Sequence, residues 1–427
     1  MLKANKTFLF ISKLIQLLVG FRSNKVDDAQ AIKDLQRLES VCIEYNILPN
    51  GFSQDQSVTP SKWTKTKSIL YSSLIIVNIT HLLLLSVSNL SNEWLLIFGD
   101  FLCSYPGRRF FWSFWLYVSV FGEVLRHFWI YLVRNGNLAT LKLYHSIYLQ
   151  GFKSKSVSMN QTYCQKFSFI AANLTILWLR IIFLTALSLA PIFVIIVQTS
   201  SHLPKTLQQF ICIYFWLLIT YLGLVCTLSN IMLTGGIVTV HLSYFYFKAA
   251  HLAQIVQDFV RKRKILDNID YFSEYKVTVD EIIKYQNEIE QLNIRFRNWL
   301  IFLYFGISFT SNFGFYIAVI VHIDSGFLDL FIASISVVGS VSIGACSYTN
   351  GIILTKMCSY CKNLRRATRR LQLNVKSFIK GTDLQDRLVR TDIAFTIGKI
   401  LHMTTEVFVI YLLENISLIM MFTLNFK

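Results

Sequence analysis

Proline and charge are both scarce in this chain of 427 residues. It has five prolines, none after Pro204, so no imino residue breaks backbone hydrogen bonding in the second half. Charged residues amount to 15%, against about 25% in an average soluble protein. The 18 glycines are too few for a collagen-like or low-complexity chain. The sequence also lacks G-x-x-x-x-G-K-[ST], H-E-x-x-H, G-x-S-x-G and any glycine-rich dinucleotide loop, which leaves catalysis without a foothold. The expectation is a protein that is not an enzyme and carries no cofactor. Eight cysteines are scattered along the chain. Cys358-x-x-Cys361 is half of a zinc site, but no second pair stands at zinc spacing, so no metal is expected.

What the chain has instead is apolar length. Hydrophobic residues make up 54%, and phenylalanine alone contributes 35 residues. A soluble domain with so few charges has no way to cover that surface, so the class is an integral membrane protein. Apolar runs stand at about 68–89, 110–133, 168–197, 299–322, 328–355 and 400–426. A further run extends from Leu207 to Phe247, well beyond the ~20 residues that a bilayer needs. Its only break signal, Gly235-Gly236, offers no loop, so it reads as one long helix that continues out of the membrane. A shorter apolar piece at 94–103 either extends the second span or lies at the interface. The opening stretch, 1–21, is interrupted by Lys13 and reads as an interfacial helix rather than a signal peptide. The prediction is an all-α polytopic membrane protein with seven transmembrane helices.

The formal net charge of +17 raises the question of nucleic acid, but no nucleic-acid-binding signature accompanies it. The distribution points elsewhere. Of the 41 lysines and arginines, 35 lie in segments 1–67, 134–167, 248–298 and 356–399. Arg108, Arg109, Lys205 and Lys427 lie on the other side of the spans, and Arg126 and Arg180 lie inside them. The positive-inside rule then puts the N-terminus in the cytoplasm and the C-terminus outside, the reverse of G-protein-coupled receptors. The organisation that follows has a cytoplasmic N-terminal segment (1–67), four helices (68–247) and a cytoplasmic helical segment (248–298). The fifth and sixth helices (299–355), a second cytoplasmic helical segment (356–399) and a terminal helix (400–427) complete it. Within the first helical segment Ile282, Tyr285, Ile289, Leu292 and Phe296 follow a 3-4-3-4 spacing, an amphipathic stripe that points to a cytoplasmic helical bundle.

Ionisable residues inside apolar spans are costly and therefore informative. Glu123 and Arg126 stand three apart, on one helix face, as an internal ion pair would. Arg180 either joins that network or lines a ligand cavity. In the last run, Glu414, Leu418, Met421 and Asn425 follow a 4-3-4 spacing and share a face. That face is either ordinary helix packing or a pore wall with a hydrophobic constriction.

Three patches resemble the insect gustatory receptor family: SKLIQLLVGF (12–21), VTPSKWTKTKSILYSSLI (58–75) and IAFTIGKILHM (393–403). The family closes on Thr-Tyr, five apolar residues and Gln-Phe. Here the corresponding stretch runs from Leu418 to Phe426, with Asn425 in place of Gln and Leu418-Ile419 in place of Thr-Tyr. The resemblance implies a multi-pass plasma-membrane chemoreceptor that acts as a ligand-gated non-selective cation channel. It also implies a homo- or hetero-tetramer whose last helices surround the pore, and a small-molecule tastant bound in the outer half of the membrane. Aromatic candidates for that pocket are Trp112, Phe114, Trp115, Tyr214, Trp216, Phe313 and Tyr316. A transporter or scaffold of the same fold, and an odorant receptor, stand as alternatives. The charge asymmetry generates a direct test. An epitope at the N-terminus is expected to stain only after permeabilisation, and one at the C-terminus on intact cells; the opposite pattern overturns the orientation.

Overall fold

The computed structural model describes residues 20, 22, 27–52, 62–134, 139–199, 206–262, 268–323, 325–368, 379, 386, 396–397, 401–402 and 404–425. The expected helix at 1–21, apart from Gly20, and most of 369–399 lie outside the described residues. The described chain is almost wholly helical. In order come α1 (Asp28–Glu44), α2 (Lys62–Val87), α3 (Asn92–Ile97), α4 (Arg108–Arg134), α5 (Ala139–Gln150), α6 (Ser154–Val157) and α7 (Gln161–Thr199). Then follow α8 (Leu207–Lys262), α9 (Asn268–Tyr316), α10 (Gly326–Thr368) and α11 (Thr405–Asn425). A two-residue antiparallel pair, Thr396–Ile397 with Leu401–His402, precedes α11. Six of the helices, α2, α4, α7, α8, α9 and α10, are long and apolar enough to cross a membrane. The architecture is that of an all-helical membrane protein. The apolar piece at 94–103 forms the short α3 and a buried turn rather than an extension of α4.

The run from Leu207 is one uninterrupted helix of 56 residues. At 1.5 Å per residue it is about 84 Å long, nearly three times the ~30 Å hydrocarbon layer. Gly235 and Gly236 do not break it. They let α7 approach: a Cβ at Gly235 would stand 2.7 Å from the Trp178 ring, whose indole N–H donates to Thr239 Oγ1 at 2.9 Å. α9 ends in a π-turn, Ile317–Val321, closed by His322 at φ 48°.

The helices enclose two apolar cores. One gathers α1, α5 and the lower ends of α4, α7, α8, α9 and α10. The stripe Ile282, Tyr285, Ile289, Leu292 and Phe296 is buried in it. Polar cross-links tie the same region. Lys248 donates to Glu288 at 2.5 Å and to the Tyr244 hydroxyl at 2.8 Å, and Tyr285 donates to the Phe245 carbonyl at 2.9 Å, joining α8 to α9. α1 is fastened to α7 by Ser168, which donates to Asp28 at 3.2 Å. The fully buried Asp34 of α1 accepts from Arg22 at 2.8 Å and from Arg37 at 3.3 Å. The second core lies at the other end of the bundle and holds the ends of α2 and α4, the turn before α4, and parts of α8, α9 and α10.

The burial of the stripe sets a stability test. Ile289→Ala removes a buried side chain and should cost about 2–5 kcal/mol. Ile294→Ala, 58% exposed on the same helix, should stay within about 0.5 kcal/mol. Thermal midpoints of the purified chain in mild detergent are expected to fall by several degrees for the first and to hold for the second.

Candidate functional site

Three places on this frame carry polar or aromatic groups that packing alone does not require. The first is a seam between α2, α4 and α8. Arg126 is fully buried, and its Nε and Nη2 donate to Glu123 of the preceding turn at 2.9 and 2.5 Å. Nη2 also reaches Ser72 Oγ of α2 at 2.6 Å, and the guanidinium lies over the Tyr71 ring, 5.3 Å from its centroid. Tyr71 in turn donates to the Cys226 carbonyl and Asn230 Oδ1 of α8, at 3.2 and 3.4 Å. Higher in the seam Asn78 donates to Ser119 at 3.5 Å and presses on Gly223, where a Cβ would fall 2.6 Å from its amide. The expected Glu123–Arg126 pair is therefore present. His127 lies 2.9 Å from Glu123. Arg180 sits on the exposed side of α7 beside Gly20.

The second place is the aromatic core. Trp112, Phe114 and Trp115 of α4 are fully buried. Phe114 meets Phe313 of α9, with ring centroids 6.2 Å apart, and Trp115 meets Phe331 of α10 at 6.1 Å. Tyr316 packs edge-on to Phe110 at 6.0 Å, and Tyr214 of α8 lies at the margin of the same core. Trp216 does not join that core. It stacks on His81 of α2, at 4.2 Å and 12°. His81 donates from Nε2 to the Phe98 carbonyl at 2.7 Å and accepts from Thr220 at Nδ1. The Trp112 indole is also committed: it donates to Asp100 at 2.9 Å. Asp100 is buried in the turn before α4, and burial lifts its carboxyl above the usual range against the pull of Trp112 and Arg108. Arg108 pairs with Asp100 and donates to the Ser88 carbonyl at 2.8 Å, which closes the turn. By contrast, the buried Trp115 Nε1–H has no hydrogen-bond partner among the described residues.

The third place is α11. Phe408, Tyr411 and Asn415 follow a 3-4 spacing and seat it on its neighbours. Phe408 fills the space at Gly344 of α10, where a Cβ would stand 2.6 Å from the ring. Tyr411 is buried and meets Tyr304 of α9 edge-on at 5.6 Å. Asn312 of α9 donates to Asn415 Oδ1 at 2.6 Å. Glu414 and Met421 are exposed, as is Leu424 at 81%. The side chains of Leu418 and Asn425 lie outside the described residues. The Asn312–Asn415 bond escaped the sequence reading, although an amide within an apolar terminal span is itself a signal of an internal partner.

The fold defines the class, a polytopic helical membrane protein. No protein-family model matches the chain and no curated protein is similar to it.

The seam generates a double-mutant test. Arg126→Met leaves Glu123 buried without its main partner, and should cost about 3–5 kcal/mol. Glu123→Met/Arg126→Met removes both charges and should recover most of that loss, because a matched apolar pair carries no desolvation penalty. Unfolding midpoints of the two single variants and the double variant provide the check.

Proposed function

We propose that the protein is a chemosensory receptor of the insect gustatory type, working as a ligand-gated non-selective cation channel in the plasma membrane. On this reading α11 is a seventh span, the N-terminus is cytoplasmic, the C-terminus is extracellular, and four subunits place their α11 helices around one pore. The observation that carries it is the one-sided seating of α11. Phe408, Tyr411 and Asn415 occupy one side, and Glu414 and Met421 on the neighbouring flank are exposed. By their 4-3-4 spacing Leu418 and Asn425 belong with Glu414 and Met421, with Leu418 at the border nearest Tyr411. At 21 residues the helix is about 32 Å long, enough to cross the hydrocarbon layer. A single helix per chain encloses no path, so conduction needs copies around an axis.

The aromatic core of α4, α9 and α10 is the proposed ligand site. Aromatic faces suit stacking on a sugar ring or enclosing an apolar tastant. The unpaired Trp115 N–H adds a specific demand, an acceptor atom on the ligand. α9 connects the two places, because Phe313 faces the aromatic core and the adjacent Asn312 holds Asn415.

Cells expressing this chain are expected to show tastant-evoked cation current. Leu418→Ser or Met421→Ser should raise basal current, because a wetter constriction conducts without ligand. Asn425→Asp should alter relative cation permeability, and substitutions at Ile416 and Thr423, on the far face, should do less. If cysteines at 416 and 423 react with thiol reagents in the open channel while those at 418, 421 and 425 stay inert, the assigned face is wrong.

A further inference from the structure

Helix α2 carries a surface that no packing among the described residues uses. Its outward face runs through Ile69, Leu70, Ile76, Leu83 and Val87, all exposed. From Ile69 to Val87 is 18 residues, or about 27 Å along the axis, close to the ~30 Å hydrocarbon layer. That face meets lipid tails where α2 crosses the membrane, and the reading of α2 as a span is the one on which this inference rests. One turn below Ile69 the same face changes character. Lys62 and Lys65 are exposed on it, and Trp63, 73% exposed, stands at its edge. Neither lysine pairs with a carboxylate among the described residues, and both are exposed to an external anion. The opposite end of α2 differs: residues 88–97 hold Glu93 and no lysine or arginine.

The neighbouring helix places a boundary at the same depth. The Arg126–Ser72 hydrogen bond sets the register of the antiparallel α2 and α4. Five residues further along α4, Tyr131 comes level with Lys67, and it is 58% exposed. Trp63 lies four residues, about 6 Å, beyond that level, and exposed Trp and Tyr this close together mark the headgroup zone, where an indole or phenol keeps its ring in the acyl region and its polar edge in water. Two exposed ammonium groups next to that level attract phosphate-bearing anionic headgroups.

We infer that Lys62, Trp63 and Lys65 form a binding surface for an anionic phospholipid, with Trp63 against the upper acyl chain and the two lysines on the headgroup. The lipid clamps the start of α2 at the interface. Phosphatidylserine is the probe of choice, because it differs from phosphatidylcholine mainly in headgroup charge.

The test uses the full chain reconstituted with brominated-chain phosphatidylserine, or with brominated phosphatidylcholine at the same mole fraction. The Trp63 signal is the difference between the wild-type chain and Trp63→Phe. Quenching of Trp63 is expected to favour phosphatidylserine by about fivefold for each lysine. The preference should vanish in Lys62→Gln/Lys65→Gln, two surface changes that leave the cores intact. Equal quenching by the two lipids, or a preference that survives the double substitution, overturns the assignment. Inorganic phosphate at constant ionic strength should leave the preference in place; if it abolishes it, the surface takes a free anion and the lipid assignment fails. The measurement does not depend on orientation or conduction, so its failure leaves the channel reading untouched, and a chain that binds the lipid without conducting refutes only the latter.

Discussion

Arg126 is the constraint that the membrane part of this protein answers to. A guanidinium with no exposure, set among apolar helices, is tolerated only if its neighbours offset most of its desolvation, and here Nη1 alone stays without a partner among the described residues. Glu123 supplies the counter-charge from the same helix, but Ser72 and the face of Tyr71 have to come from α2. Tyr71 then needs the Cys226 carbonyl and Asn230 from α8. Three backbones must therefore approach closely at one depth, and small residues allow it. Gly122 of α4 lies against Thr227, and Gly223 of α8 lies against Asn78, at contacts where any Cβ would collide. The charge pair, the amides and the glycines form one requirement, and together they lock α2, α4 and α8 in register.

The other half of the bundle is held by different means. Among the described residues α9, α10 and α11 meet mainly through serine, glycine and aromatic contacts, with His322 3.6 Å from Asp329 where α9 ends. Gly339 lies against Ser311, Gly314 against Ser336, and Gly344 against Phe408. The seat of α11 rests on those contacts and one amide–amide hydrogen bond. Beyond the spans, α8 and α9 run on as a pair, and there charge returns: Lys248 and Glu288 meet beside Tyr244. The length of α8 is what makes the core of α1, α5 and the lower helix ends possible, because it carries one continuous surface from the seam to that bundle.

Much of this was legible in the sequence because apolar runs and helical spacing act over short stretches. The stripe from Ile282 to Phe296 needed only its 3-4-3-4 rhythm, and Glu123 and Arg126 only their separation of three. Gly235-Gly236 read as the only break signal in its run, and the structure explains its composition by a neighbour, Trp178, that lies 57 positions earlier in the chain. Partners across long separations stayed hidden for the same reason. Nothing local in Trp216 announces His81, and nothing near Asn415 names Asn312. The seven aromatic candidates were chosen by type and depth. The structure gathers Trp112, Phe114, Trp115, Phe313, Tyr316 and Tyr214 in or beside one core and sends Trp216 to another contact, a distinction that depends on helix rotation and so on tertiary packing.

The state of the aromatic core bears on how a ligand would act there. A buried Trp115 N–H without a partner among the described residues costs about 1–3 kcal/mol, and a ligand acceptor placed against it would recover that amount. A ligand shifts a conformational equilibrium only by the difference in its affinity for the two states. If the core is closed around Trp115 in one state and parted in the other, that recovered hydrogen bond, with the new ring contacts, supplies such a difference. Parting the core moves Phe313, and Phe313 neighbours Asn312 on an unbroken helix, so the displacement reaches Asn415 through a bond of 2.6 Å. The locked seam of α2, α4 and α8 gives that movement something to work against. On the proposed reading, the rigid half of the molecule is therefore as necessary to gating as the half that carries the pore helix.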